Sequence, residues 1–328
     1  MNNNKNQYTD ASTPIMVSIC CLTYNHERYI KQCLDGFLSQ QATFAFEILI
    51  HDDASTDQTP LILKEYEKNN PDLIKVIYQS ENQYSKGVNV HLVYNIPRVK
   101  GKYIAFCEGD DYWTQPDKLQ KQVEYLEAHP NCSLCCHHAN LLIQKTLEIK
   151  DLPLPNRAKD MNFAFSLKDW IELGWFFTTA SIVFRKDCID KRFLKLFPDC
   201  KDAHVFYWLL KKGNGYFMKE SMSIYRRHDG GVWSSLYREQ QNIINLKTVY
   251  AIHKVEQTSD TRKWVIMRLA GLSMFYIRSK CIRKFIKVFP LTYSYLGVTG
   301  IGSLLGHVFK KAVCKLFTKA LKTDRRTA

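Results

Sequence analysis

The first 140 residues alternate between short apolar runs and segments of helical spacing, and this alternation restricts the possible folds more than any other feature of the chain. Val17–Thr23 is an apolar run of strand length; Phe46–Ile50, Leu73–Tyr78 and Lys102–Cys107 repeat it. Between the first two, Glu27–Gln40 places Tyr29, Ile30, Cys33, Leu34, Phe37 and Leu38 on one helical stripe, with Asn25 as its cap. Asp57 caps a second helix bearing Leu61, Ile62, Leu63 and Tyr66. Val88–Val99 reads as a third helix that Pro97 cuts short. Pro116 opens a fourth, which runs to Glu127. The order predicts an α/β fold, a doubly wound, mostly parallel sheet with flanking helices. Ligands bind such sheets beyond the carboxyl ends of the strands. Asp52–Asp53 follows the second strand and Glu108-Gly-Asp-Asp111 the fourth, so both acidic clusters belong to one sheet edge.

Clustered carboxylates at the end of a buried strand repel one another and call for a cation. Hard oxygen ligands favour Mg²⁺ or Mn²⁺, shared with the phosphates of a ligand. For Asp52–Asp53 alone, a solvated turn capping the next helix accounts for the residues equally well. Two clusters at one edge favour a metal–nucleotide site. No G-x-G-x-x-G follows the first strand, and neither a P-loop nor a G-x-S-x-G elbow occurs.

Charge separates the chain into two regions. Residues 241–328 carry 17 Lys+Arg and 3 Asp+Glu, whereas residues 1–240 carry 29 of each sign, so the whole net charge of +14 sits in the last 88 residues. A nucleic-acid-binding domain would interleave basic and aromatic residues over one body, so no nucleic-acid partner is expected. Met1–Pro14 is polar, lacks the apolar stretch of a secretory signal and reads as a disordered end. The organisation expected is residues 1–14 as that end, 15–235 as the catalytic domain and 236–328 as a helical, basic extension. The eleven cysteines are an odd number. Cys20, Cys21, Cys33 and Cys107 fall in apolar or helical patterns, as small buried hydrophobes of a reducing, cytoplasmic compartment do. Cys132, Cys135, Cys136, His137 and His138 invite a zinc reading, but no second ligand pair follows, and the segment fits a buried strand.

Further along, residues 144–165 are polar and hold Pro153 and Pro155, which predicts a long surface flap. Trp175, Phe176 and Phe177 belong to an aromatic stretch better explained as core than as a sugar platform. Val205–Leu210 is helical, Tyr216–Met218 is a short strand, and Gly230–Gly231 predicts a turn able to close over a ligand.

Leu22-Thr-Tyr-Asn25, Ile50-His-Asp-Asp-Ala-Ser-Thr-Asp57, and Gly101–Trp113 with Pro116-Asp-Lys-Leu119 resemble, in that order, the motifs of glycosyltransferase family 2. The resemblance runs from about Met16 to Trp233. It implies a GT-A fold and an inverting enzyme that uses a nucleotide-diphosphate sugar, UDP being the commonest carrier. By the same resemblance, the backbone of Leu22 and Thr23 and the side chain of Tyr24 meet the base. Asp53 hydrogen-bonds the base, with Ser55 beside it. Glu108 stands where the family more often has Asp and reaches the ribose; Asp110 and Asp111 hold ribose and a Mn²⁺ or Mg²⁺ ion. Lys201-Asp202-Ala-His204 resembles the element that supplies the general base, which assigns that role to Asp202 with His204 as a weaker contender; read from its position alone, Asp202 is an N-cap. Arg226, Arg227 and His228 resemble the closing basic motif, with the arginines on the diphosphate and His228 on the metal.

Beyond Trp233 the resemblance ends. Residues 241–287 have a helical pattern, and Val288–Phe309 lacks charge but holds Pro290 and four glycines, so it is a poor membrane span. From Leu304, apolar pairs recur every four residues with lysines between, the pattern of a basic amphipathic helix on an anionic membrane. The expected partners are therefore a nucleotide-sugar donor, a glycan or lipid-linked acceptor and the cytoplasmic face of a membrane, with surface polysaccharide synthesis as the role. The rival readings are a nucleotidyltransferase acting on a sugar phosphate, which would need a Gly-rich basic loop after the first strand, and a basic nucleic-acid-binding protein.

Overall fold

The structure is a computed structural model that describes residues 13–197, 200–292 and 294. It divides into two compact units, Met1–Ser235 and Leu236–Ala328.

The first unit begins with β1 (Ile15–Thr23), α1 (Ile30–Leu38), β2 (Ala45–Asp52), α2 (Thr59–Asn69), β3 (Ile74–Tyr78) and β4 (Tyr103–Phe106). The strands lie in the order β3-β2-β1-β4 and are all parallel. Their alternation buries Val17, Ile19 and Cys21 with Ile48, Ile50, Tyr103 and Ala105 in one core, which includes Ile30, Cys33, Leu34 and Phe37 from the apolar stripe of α1. β5 (Tyr112–Trp113), α3 (Lys118–Ala128), β6 (Cys132–Ile143), β7 (Glu148–Asp151), α4 (Asn156–Asp160), β8 (Phe163–Phe165) and α5 (Leu167–Leu173) follow. β9 (Val183–Arg185), α6 (Lys191–Leu196), α7 (Asp202–Lys212) and β10 (Asn214–Arg227) complete the unit. Past β4 the sheet continues β9-β6-β10-β5. β9 is antiparallel to both neighbours and β6 is parallel to β10, so the second half is mixed.

The segment with five Cys and His residues is β6, buried in mid-sheet, and every described cysteine is free. Several expectations need correction. Residues 144–165 are not a free flap: β7 forms a hairpin with β6, α4 follows, and β8 pairs with β10. The strand read as Tyr216–Met218 extends over Asn214–Arg227, because pairing with β6 carries residues of modest strand propensity along with it. Val88–Val99 forms no α-helix but a π-helical turn, His91–Asn95, followed by a 3₁₀ turn, Ile96–Arg98, around the proline that cannot donate. Asn25 does not cap α1; it has a left-handed φ of 56° and its side-chain oxygen accepts from the Thr56 amide at 2.8 Å. Phe176 and Phe177 are core, whereas Trp175 is half exposed.

The second unit holds α8 (Arg238–Glu256) and α9 (Ser259–Arg278). Tyr276, near the end of α9, donates to Glu239 at the start of α8 at 3.0 Å, so the two helices run antiparallel. Thr258 caps α9 by accepting from the Thr261 amide. Residues 282–292 are helical, and Ile282, Ile286 and Phe289 are exposed there. No described helix is long and apolar enough to cross a membrane. Most of Val288–Phe309 and the whole repeat from Leu304 lie outside the described residues.

At the amino end of the sheet, Ser18 and Glu47 are cross-strand partners, and the Ser18 hydroxyl donates to the buried Glu47 carboxylate at 2.6 Å. The same carboxylate oxygen accepts from the Lys100 amide at 2.9 Å, and Ser18 Oγ accepts from the Gly101 amide at 2.9 Å. This network ties the entry of β4 to β1 and β2. Glu47→Ala is expected to lower unfolding free energy by roughly 1.5–3 kcal/mol, the usual worth of hydrogen bonds to a charged group, with Glu47→Gln losing less, as read by urea denaturation.

Candidate active site

The turns that leave the parallel strands are laced together. The Asp53 amide donates to the Thr23 carbonyl at 2.9 Å and the Gly109 amide to the Leu22 carbonyl at 2.8 Å. Glycine is required at 109: a Cβ there would stand 2.9 Å from Ile30 Cδ1 and 3.0 Å from Thr23 Cβ. Asp53 and the Glu108–Asp111 turn thus share the carboxyl edge of one sheet. Leu22 and Thr23 lend their carbonyls to this lacing, and Tyr24 is half exposed at the rim.

The two aspartates after β2 play different parts. Asp53 is buried, and its carboxylate accepts from the Gln83 and Tyr84 amides at 2.8 and 3.0 Å, with His51 Nε2 3.4 Å away. Both of its oxygens therefore already serve the turn at Tyr84–Lys86. Asp52 accepts from the Ser55 hydroxyl at 2.5 Å, and burial holds its carboxyl above the ordinary range. Ser55 in turn accepts from the Asn25 amide at 2.8 Å, so it joins the β1 and β2 turns.

Around the turn after β4, Asp110 Oδ2 lies 3.0 Å from His228 Nε2 and 3.9 Å from His26 Nε2. One donor atom from each of His26, Asp110 and His228 can be chosen so that all lie within 4.8 Å of one another. Burial opposes ionisation of Asp110, but the His228 hydrogen bond and the nearby His26 outweigh it and hold this carboxyl below its usual range. Burial also pulls the His26 imidazole down, which favours its neutral, ligating form. Asp111 does not join this cluster; its Oδ1 accepts from the Arg226 amide at 2.8 Å, and burial with the Asp110 charge pushes its carboxyl well up.

Arg226 faces inward and Arg227 outward. Arg226 Nε donates to the Asp110 carbonyl at 2.7 Å, and its two terminal nitrogens donate to Gln144 and Gln32 at 2.5 and 2.6 Å. Its guanidinium also lies over the Tyr29 ring at 4.7 Å. The side chain clamps the 108–111 turn to β10. Arg227 is exposed at the strand end. The turn beyond it is closed by Ser234 Oγ and the Gly231 amide, both donating to the His228 carbonyl.

Asp202 is the first residue of α7 and is exposed to solvent. Thr179 Oγ1 lies 3.4 Å from its Oδ2. Crowding by protein atoms, then the Glu108 charge, raises its carboxyl to about 6. Glu108 is itself pushed up, by burial and by Asp110, and its Oε1 is 3.9 Å from His91 Nε2. His91 stacks on Phe106 at 4.2 Å, and burial lowers it to about 4, so it is a neutral imidazole between the two carboxylates' surroundings. His204 is buried, accepts from the Lys201 amide at 2.9 Å and packs on Phe197.

The structure therefore groups Asp110 with His228 and His26 and sets Glu108 near enough for its charge to act on Asp202, while the side chains of Asp53, Asp111 and Arg226 make hydrogen bonds that hold the turns. His26, His91 and Thr179 escaped the reading of the sequence. His26 had a signal, since it follows the first strand and so belongs to the same edge. His91 sat in what read as an ordinary amphipathic helix.

Comparison with known proteins agrees with this geometry. The profile described as Glycosyl transferase family 2 matches residues 18–190. An uncharacterized protein of Mycobacterium tuberculosis is 34% identical over 226 residues, 69% of this chain and 62% of its own length, so this chain spans under two thirds of that relative. TuaG of Bacillus subtilis, named as a teichuronic acid biosynthesis glycosyltransferase, is 27% identical over 74% of this chain and 89% of its own. The beta-1,3-glucosyltransferase WfaP of Escherichia coli, named for UDP-Glc and a diphosphoundecaprenol acceptor, is 26% identical over 73% and 90%. Among solved structures, S. aureus TarS residues 1–349 with UDP-GlcNAc superposes with a TM-score of 0.56 at 17% identity, covering 86% of this chain and 91% of that one. A mannosyltransferase of Pyrobaculum calidifontis with GDP-Man and Mn²⁺ gives 0.52 at 15% identity, covering 94% and 82%. The sheet with its flanking helices is the GT-A fold, and the chain belongs to glycosyl transferase family 2.

Proposed function

We propose that this protein is an inverting glycosyltransferase that moves a sugar from a nucleotide-diphosphate donor, a UDP-sugar, to a glycan or lipid-linked acceptor during surface polysaccharide synthesis. The observation that supports the reading is the Asp110–His228 pair in the turn after β4, beside Glu108, whose charge reaches Asp202 at the start of α7. Family membership and the names of TuaG and WfaP support the substrate class.

Asp202 fits the base. Inversion needs one group that takes the acceptor hydroxyl's proton while the oxygen attacks the anomeric carbon and the bond to the diphosphate breaks, its electron pair leaving with the nucleotide. A carboxylate raised to about 6 is a stronger base than an ordinary aspartate and is still mostly ionised at neutral pH. Thr179 orients it through Oδ2, leaving Oδ1 for the acceptor. Glu108 and Tyr24 line the donor side, where the ribose and base lie. Asp110 and His228 offer one carboxylate and one imidazole, a donor set that suits a divalent ion. Such an ion, when bound, neutralises charge on the departing diphosphate. Arg226 acts by fixing the Asp110 backbone. At the other end, exposed Ile282, Ile286 and Phe289 among Arg283, Lys284 and Lys287 suit the surface of an anionic membrane, where a lipid-linked acceptor resides.

Asp202→Asn is expected to lower kcat about 10²–10⁴-fold, the usual span for a general base, with donor affinity unchanged by calorimetry; undiminished turnover would remove Asp202 from the mechanism. Because the base must be ionised, kcat/KM is expected to fall as pH drops through about 6. That limb should be missing from the residual activity of Asp202→Asn. Donor choice is read by thermal shift: UDP with Mn²⁺ should raise Tm, by linkage, more than ADP with Mn²⁺.

A further inference from the structure

We infer that His26 is a third protein ligand to the cation, and that the resulting two-histidine, one-carboxylate site loads a d-block ion on the free protein and discriminates against Mg²⁺. The inference deepens the transfer reading and rests on it for the role of the cation.

The first ground is geometry. Two imidazoles approach one carboxylate oxygen, at 3.0 Å from His228 and 3.9 Å from His26, with the rings edge to face and their centroids 6.2 Å apart. Among the described residues this is the one group of three such side chains whose donor atoms lie within 4.8 Å of one another.

The second ground is how firmly His26 is placed. Three successive amides are held by side chains from the turn after β2: Asn25 by Ser55 Oγ at 2.8 Å, His26 by Thr59 Oγ1 at 2.9 Å and Glu27 by an Asp57 carboxylate oxygen at 3.0 Å. Tyr29 packs on the other imidazole, with its ring 4.6 Å from that of His228. Asp110 is fixed separately, through its carbonyl, by Arg226. The backbone that carries His26 and Asp110 is therefore fixed by the protein itself, and Tyr29 packs the His228 ring.

The third ground is composition. Asp111 spends its carboxylate on the Arg226 amide, so the cluster holds one carboxylate rather than two. Mg²⁺ prefers oxygen ligands and keeps most of its water, whereas imidazole suits first-row transition ions. Two imidazoles and one carboxylate leave coordination positions free for phosphate oxygens. Affinity should follow Mg²⁺ < Mn²⁺ < Co²⁺, in line with the general order for nitrogen-bearing sites.

The test uses the full chain without donor. Mn²⁺ is titrated and bound ion counted by loss of the free-ion electron paramagnetic resonance signal. Pulsed spectra of protein carrying ¹⁵N-histidine then count the imidazoles coupled to the bound ion. Two coupled imidazoles are expected in the wild type and one in His26→Gln. The variant should bind Mn²⁺ at least about 10-fold more weakly, the lower end of what even outer-shell partners carry. A hundredfold excess of Mg²⁺ should leave Mn²⁺ in place, and Co²⁺ should displace it. A single coupled imidazole in the wild type, absence of Mn²⁺ binding without donor, or ready displacement by Mg²⁺ would each overturn the inference. The wild-type count stands even if His26→Gln does not fold. Sugar transfer is assayed separately: transfer with one coupled imidazole sinks this inference alone, and two imidazoles without transfer sink the functional reading instead.

Discussion

Glu108, Asp110 and Asp111 crowd one turn at the carboxyl edge of the sheet, with Asp202 near enough to feel the Glu108 charge, and much of the surrounding structure answers that repulsion. Glu108, Asp111 and Asp202 are all held above the ordinary carboxylate range, and Asp110 alone is held below it, because His228 and His26 face it. Arg226 supplies a buried positive charge and ties three elements through its guanidinium and amide.

The rest of the first unit serves to bring those groups together. Hydrogen bonds from the Asp53 and Gly109 amides to the carbonyls of Thr23 and Leu22 hold three turns at one height. Asp53 then anchors the loop reaching Tyr84, and the β10 pairing with β6 delivers Arg226 and His228 from more than a hundred residues away. Asp202 arrives by a different route, at the start of a helix whose buried face is packed with Phe206, Trp208 and Leu209. Asp202 and the Asp110–His228 pair thus rest on separate elements of the first unit.

How far the site was legible in the sequence depended on the element. The β-α alternation up to Glu127 described the parallel strands and three of the four helices, since the apolar runs are continuous and those helices amphipathic; Val88–Val99 was the exception. The mixed half was less readable: Glu148–Asp151 and Phe163–Phe165 are strands because neighbouring strands offer them hydrogen-bond partners, and their own residues say little. Motif resemblance located the acidic turns, yet could not say which of two adjacent residues points where. Arg226 and Arg227 differ by one position on a strand, where neighbouring side chains point to opposite faces, whereas Asp110 and Asp111 share a turn in which one meets His228 and the other the Arg226 amide.

What the amino-acid sequence determined by itself was therefore the order of elements, the edge of the sheet that carries charge and the separation of a neutral body from a basic extension. These follow from periodicity and composition, which are local. Only the tertiary structure decided that Asp111 and Arg226 hold the turn together, that His26 stands beside Asp110, and that surrounding protein and the Glu108 charge both act on Asp202. Those outcomes depend on distances of a few ångströms between residues far apart in the chain. No local pattern encodes such distances, because they are set by how strands pair and where buried charges find partners.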